Sequence, residues 1–212
     1  MKLYTYFRSS AAFRVRIALN LKGLTYDHLP ISLRNGEQLT DTFKTINPLG
    51  LVPILEEEGN RIYQSLAICE YLEERFPLPS LLPVELAEKA WVRSLALTIG
   101  CEIHPLNNLR VLNFLKTEYQ HTENEIQVWY KHWIEEGFTA LETMLSTSQL
   151  TGKYCYKETP SLADLFLVPQ VYNAIRYQVS LDAYPTIRRI NDACLQLPAF
   201  EQALPKNQPD SI

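Results

Sequence analysis

Ser9 and Ser10 stand where an apolar, aromatic run, Leu3-Tyr4-Thr5-Tyr6-Phe7, gives way to a run of helix formers, Ala11-Ala12-Phe13-Arg14-Val15-Arg16-Ile17-Ala18-Leu19. The first run suits a buried strand and the second a helix. A strand that ends in paired serines at a helix start gathers hydroxyls and unpaired N–H groups at one point. The partial positive charge of the helix N-terminus adds to them, so the point favours an anion. Arg8 adjoins it and brings a guanidinium that can grip a carboxylate in a planar fork. A serine in this place also caps helices, and taken alone capping is the commoner role.

The elements that must position these groups follow from pattern. A second strand is expected at 25–31, then a polar, irregular or briefly helical stretch at 36–46 and a turn at Asn47-Pro48-Leu49-Gly50. Residues 51–63 read as a hairpin turning near Gly59, and a helix runs from Ser65 to about Phe76, stopped by Pro77 and Pro79. This is an α/β domain over 1–80. The prolines of 77–83 make a stiff connector, after which strand patterns nearly vanish. Helical spacing appears at 85–103, 123–146, 161–175 and 185–197, so an all-helical domain is expected over 88–212. Ser161-Leu162-Ala163-Asp164 has the layout of a capping box, which accounts for Asp164 without catalysis.

Composition narrows the classes of function. With 46% hydrophobic residues among 212, a packed core is available, and a net charge of −4 offers nucleic acid or an anionic membrane no attraction. No apolar run is long enough to cross a bilayer and the N-terminus has no targeting pattern, so a cytoplasmic protein is expected. Cys69, Cys101, Cys155 and Cys194 are scattered without metal-ligand spacing and read as buried free thiols; no metal site is expected. Arg14 and Arg16 read as structural or solvent-facing, Glu56-Glu57-Glu58 as a hairpin tip in water, and Trp91, Trp129 and Trp133 as helix packing.

Taken together, Ser9-Ser10 at a helix start, Val52-Pro53 before a strand, Gln64-Ser65 opening a helix, and the helical second half resemble the glutathione transferases. Tyr6-Phe7-Arg8-Ser9-Ser10, Asn47-Pro48, Ile103-His104-Pro105-Leu106-Asn107-Asn108-Leu109, the segment 162–170 and Gln208-Pro209-Asp210 are similar to the zeta class in particular. The resemblance implies a thioredoxin-like N-terminal domain that binds glutathione and an all-helical C-terminal domain that contributes the substrate site. It implies a cis Val52-Pro53 bond, with the Val52 backbone pairing with the cysteinyl part of glutathione, and Gln64 and Ser65 on the γ-glutamyl carboxylate. Gln38, His104, Asn108, Leu109 and Arg110 join Ser9, Ser10, Val52, Pro53, Gln64 and Ser65 as implied glutathione contacts, His104 standing in the place of a glutamine. The class usually carries a cysteine after the two serines, and here Ala11 stands there. Thiolate activation by the serines is expected to survive that change.

Zeta-class enzymes include maleylacetoacetate and maleylpyruvate isomerases, so the resemblance implies a glutathione-dependent cis–trans isomerase of aromatic-compound breakdown, with a homodimer as its assembly. The reaction adds a thiolate to a double bond conjugated to a ketone, turns the resulting single bond, and eliminates. Ser9 is the expected donor to sulfur, with Ser10, Arg8 and Asn108 as catalytic companions. The maleyl dicarboxylate calls for guanidiniums, and Arg8, Arg110 and Arg176 are the candidates. His104 and Asn108, at i and i+4 of a helix starting near Pro105, are expected to share a face. A broader glutathione transferase or halo-acid dehalogenase, and a binding protein that keeps the fold without activity, are the alternatives.

Overall fold

Leu3, Ile54 and Leu55, all fully buried, mark the middle of a four-stranded sheet with strand order β2-β1-β3-β4. The structure, a computed structural model, describes residues 1–211. Strand β1 (Lys2–Thr5) pairs parallel with β2 (Asp27–Pro30) and antiparallel with β3 (Ile54–Glu57), which forms the hairpin with β4 (Asn60–Tyr63). Helix α1 (Ser10–Leu21) supplies the crossover between the parallel pair, as parallel strands require. The short α2 (Asp41–Lys44) and α3 (Ser65–Arg75) complete the order expected from the sequence.

Helix α1 is buried along most of its length, from Ala12 to Leu19, because it packs against both α3 and a later helix, α9 (Pro198–Ala203). Residues 1–81 and 195–212 thus form one compact unit, and 82–194 a second. The tail, which helical spacing alone assigned to the helical domain, clusters with the first unit. Arg16 points into this packing with no exposed surface. It donates to Thr5 Oγ1 and to the carbonyls of Tyr6, Phe7 and Ala203 at 3.0–3.3 Å, while burial pulls its pKa from 12.5 to about 10. Arg14 is buried as well, so the structural reading of both arginines is the one found.

The second unit is helical: α4 (Leu86–Leu97), a π-helical turn (Thr98–Ile103), α5 (Leu109–Thr117), α6 (Glu123–Thr147), α7 (Leu162–Arg176) and α8 (Pro185–Leu195). Glycine at 137 lets α6 meet the π-helical turn, since a Cβ there would lie 2.3 Å from Ile103. The Ser161–Asp164 capping box is present, with Ser161 N–H and Oγ–H both donating to Asp164 Oδ2 at 2.8 Å. Two sequence expectations are corrected. Glu57 is buried and accepts from Tyr71 Oη at 2.6 Å, because the residue lies in strand β3 and not at the hairpin tip. Cys101 is exposed, whereas Cys69, Cys155 and Cys194 are buried free thiols. Among the described residues no helix is long and apolar enough to cross a membrane.

Candidate active site

Sheet register gathers three of the expected contacts at one end of the first unit. Tyr4 pairs with Ile54, and Ile54 with Tyr63, so the end of β1, the start of β3 and the end of β4 form one row. From that row project the Phe7–Ser10 turn, the Val52-Pro53 bond and Gln64-Ser65. The Val52-Pro53 peptide is cis, as expected. Val52 makes no hydrogen bond to another described residue, which leaves an open backbone edge beside the sheet.

Ser9 is the N-cap of α1, and its Oγ accepts from Ala12 N–H at 3.2 Å. The capping role is therefore real. It occupies an oxygen lone pair and leaves the hydroxyl hydrogen to donate elsewhere, so capping and donation to an anion are compatible. Ser10, buried, opens the helix, and Arg8 is exposed with its guanidinium 4.8 Å from the centre of the Phe7 ring.

Gln64 holds φ at 68°, in the left-handed region that costs a non-glycine residue about 1–3 kcal/mol. Directly after it, Ser65 begins α3 and its Oγ accepts from Arg14 Nη1 at 3.1 Å. A helix N-terminus, a hydroxyl and a buried guanidinium behind it make a site for a carboxylate. Gln38 is nearly buried, and its Oε1 has no partner among the described residues. Its backbone carbonyl would lie 2.9 Å from a Cβ at Gly50, whose φ of 62° closes the preceding turn. An orphaned amide oxygen, an open backbone edge and a carboxylate site fit a bound tripeptide.

The helical unit holds the remaining candidates. His104 closes the π-helical turn, a bend over 104–107 follows, and Asn108 caps α5 by accepting from Arg110 N–H at 3.1 Å. Helix α5 starts at Leu109, not near Pro105, so His104 and Asn108 share no helix face and that expectation is corrected. Leu109 and Arg110 are exposed in its first turn. Arg176 ends α7, exposed, its guanidinium 5.0 Å from the centre of the Tyr177 ring. Tyr177 stacks on Tyr130 at 3.5 Å, and Asn107 Nδ2 donates to the Tyr130 carbonyl at 3.1 Å. One residue of α6 thereby fixes both the bend before Asn108 and the end of α7. Sequence reasoning missed Tyr130, since an aromatic on a long helix reads as core.

No buried thiol of the chain is poised as a nucleophile. Burial pushes Cys69 up to about 12, and burial beside Asp164 raises Cys155 and Cys194 as well. With Ala11 beside the serines, sulfur chemistry at this site depends on a ligand.

The sequence profile of the glutathione S-transferase N-terminal domain matches residues 8–75. A maleylpyruvate isomerase from a Ralstonia species is 46% identical over the whole of both chains. Among solved structures, the holo form of a maleyl pyruvate isomerase, described as a bacterial zeta-class glutathione transferase, superposes with a TM-score of 0.98 at 46% identity over both full chains. A maleylacetoacetate isomerase from Methylobacterium extorquens, solved with malonate and glutathione, also gives 0.98, at 39% identity over both full chains.

Proposed function

The chain belongs to the zeta class of the glutathione transferases, and on that footing we propose that it is a glutathione-dependent isomerase, turning maleylacetoacetate or maleylpyruvate into the trans isomer. The observation that carries this reading is the shared sheet end. Ser9 with its free hydroxyl hydrogen, the open Val52 backbone and the Gln64-Ser65 carboxylate site leave it together.

Bound glutathione supplies a thiolate that adds reversibly to a conjugated double bond. The chain's part is to make and hold that charge. Ser9 Oγ donates to the sulfur, and the α1 N-terminus and Ser10 favour the ionised form. A lowering of one to two units, about 1.4–3 kcal/mol, ionises most of a thiol at neutral pH. Gln38, Val52, Pro53, Gln64 and Ser65 hold the tripeptide, and from the helical unit we assign His104, Asn108, Leu109 and Arg110 to the same ligand. Asn108 spends its oxygen on the cap, which leaves its NH2 to donate. Arg8, Arg110 and Arg176 take the substrate carboxylates and offset the enolate charge that develops. The family also supports a homodimer working in the cytoplasm.

A side-by-side assay of maleylacetoacetate and maleylpyruvate, with and without glutathione, tests the reading. Conversion of at least one, only with glutathione present, is expected. Binding of glutathione without conversion of either would leave a binding protein on this fold.

A further inference from the structure

Asp210, from the closing Gln208-Pro209-Asp210, reaches the turn on which Arg8 and Ser9 ride. Its Oδ2 accepts from Phe7 N–H at 2.9 Å, and its Oδ1 lies 3.0 Å from His28 Nε2. Both side chains are largely shielded, with 14% of His28 and 13% of Asp210 exposed. On the opposite side of the same residue, Arg16 Nη2 donates to the Phe7 carbonyl at 3.0 Å and Nη1 to that of Tyr6 at 3.3 Å. That guanidinium also donates to Ala203 in the tail, at 3.1 and 3.2 Å. The peptide groups flanking Phe7 are thus held by an anion on the N–H side and a cation on the C=O side, each tied to residues 195–211.

What hangs from this clamp is the reactive turn. Ser9 N–H donates to the Tyr6 carbonyl at 2.9 Å, and the Phe7 ring carries the Arg8 guanidinium. The tail is itself fixed, Gln208 Nε2 donating to the carbonyls of Gln202 and Leu204 at 2.8 and 3.0 Å. A shift of the Phe7 peptide would move both Arg8 and Ser9.

We propose that Asp210 is a positioning residue for the isomerisation, acting through the Phe7 N–H to aim Ser9 and Arg8. The proposal rests on the isomerase reading for what those two residues do. A fold-wide role alone would need only that the tail pack, which α9 and Arg16 achieve without a carboxylate at Phe7.

Asp210→Ala removes the acceptor, while Asp210→Asn keeps an oxygen for the Phe7 N–H. In the full chain, Asp210→Ala is expected to lower kcat about tenfold or more and to raise the pH at which the thiol of bound glutathione ionises. KM for glutathione should move less than about threefold, and Asp210→Asn should stay within about threefold of the parent in kcat. If Asp210→Ala does not fold, Asp210→Glu serves, since it keeps the charge and misplaces the oxygen; it should move kcat and thiol ionisation in the same directions. Unchanged kcat and thiol ionisation in the folded variant, with only melting temperature lowered, would overturn the proposal. The thiol titration needs glutathione binding alone. Lack of turnover by the unaltered protein would therefore defeat the isomerase reading, while a titration unmoved by the substitution would defeat the role of Asp210.

Discussion

Arg14 donates from Nη1 to Ser65 Oγ across 3.1 Å, placing a buried guanidinium directly behind the hydroxyl that opens α3. One lone pair of Ser65 is occupied from within, which leaves its hydrogen to donate to an anion at the helix N-terminus, where the potential is positive.

Ser65→Ala should therefore weaken glutathione binding by about tenfold, the loss of one hydrogen bond to a charged group. At saturating glutathione kcat should fall far less, because the sulfur is held elsewhere. Calorimetric titration with glutathione, set beside kcat, checks the split; equal losses in both would count against a binding role.

Ser9 caps α1 and is the proposed donor to sulfur, so its substitution should show two effects. Ser9→Ala removes the cap of α1, costing about 1 kcal/mol of stability. It also removes the proposed donor to sulfur, which should lower turnover at neutral pH about tenfold and shift the acid limb of the kcat profile to higher pH. Ser9→Thr keeps a hydroxyl and should restore part of both. Thiolate absorbance against pH, read with the melting temperature, separates them; an unmoved titration would transfer the role to Ser10 or Asn108.

Much of the first unit was legible because its signals are local. The Ser9-Ser10 junction and the hairpin at Gly59 follow from neighbouring residues and turn chemistry, while the Val52-Pro53 cis bond was implied by the family resemblance. Three things were not. Pro105 suggested a helix start, but the chain bends through 104–107, tied to α6 by Asn107 and by Trp129 Nε1 on the Leu106 carbonyl at 2.9 Å. Glu57 sits in a run of three acids, and only the fold brings Tyr71 to it. The tail from Leu195 looks helical like its surroundings, and its place against α1 depends on contacts nearly the whole chain length apart, such as Arg16 with Ala203.

Asp164 gives a stability prediction with a pH sign. It is wholly buried and accepts from Ser161 N–H and Oγ–H and from Cys155 N–H at 2.9 Å. Asp164→Ala, which strands those donors, should cost about 2–4 kcal/mol. Burial raises its pKa above the usual aspartate value, so the folded protein holds the proton more tightly than the unfolded chain. Its contribution is then largest below the usual value and shrinks as pH climbs through the raised one. Denaturant unfolding of parent and variant across that range should show the gap narrowing upward; a gap that widens with pH would contradict it.

The arginines are tested by charge on the substrate. Replacing Arg8, Arg110 or Arg176 with alanine should lower kcat/KM for a maleyl diacid by about ten- to a hundredfold, one charge-assisted contact each. The loss should be much smaller for a neutral ester, and lysine should rescue only in part, lacking the fork. Equal losses toward acid and ester in all three would make the arginines structural.

The most direct test of the central claim follows alkene geometry and glutathione together during conversion of a maleyl substrate, by proton NMR. An isomerase forms the trans product while free glutathione returns to its starting concentration after many turnovers. Stoichiometric loss of glutathione into a stable conjugate, or trans product formed at the same rate without glutathione, would contradict the account.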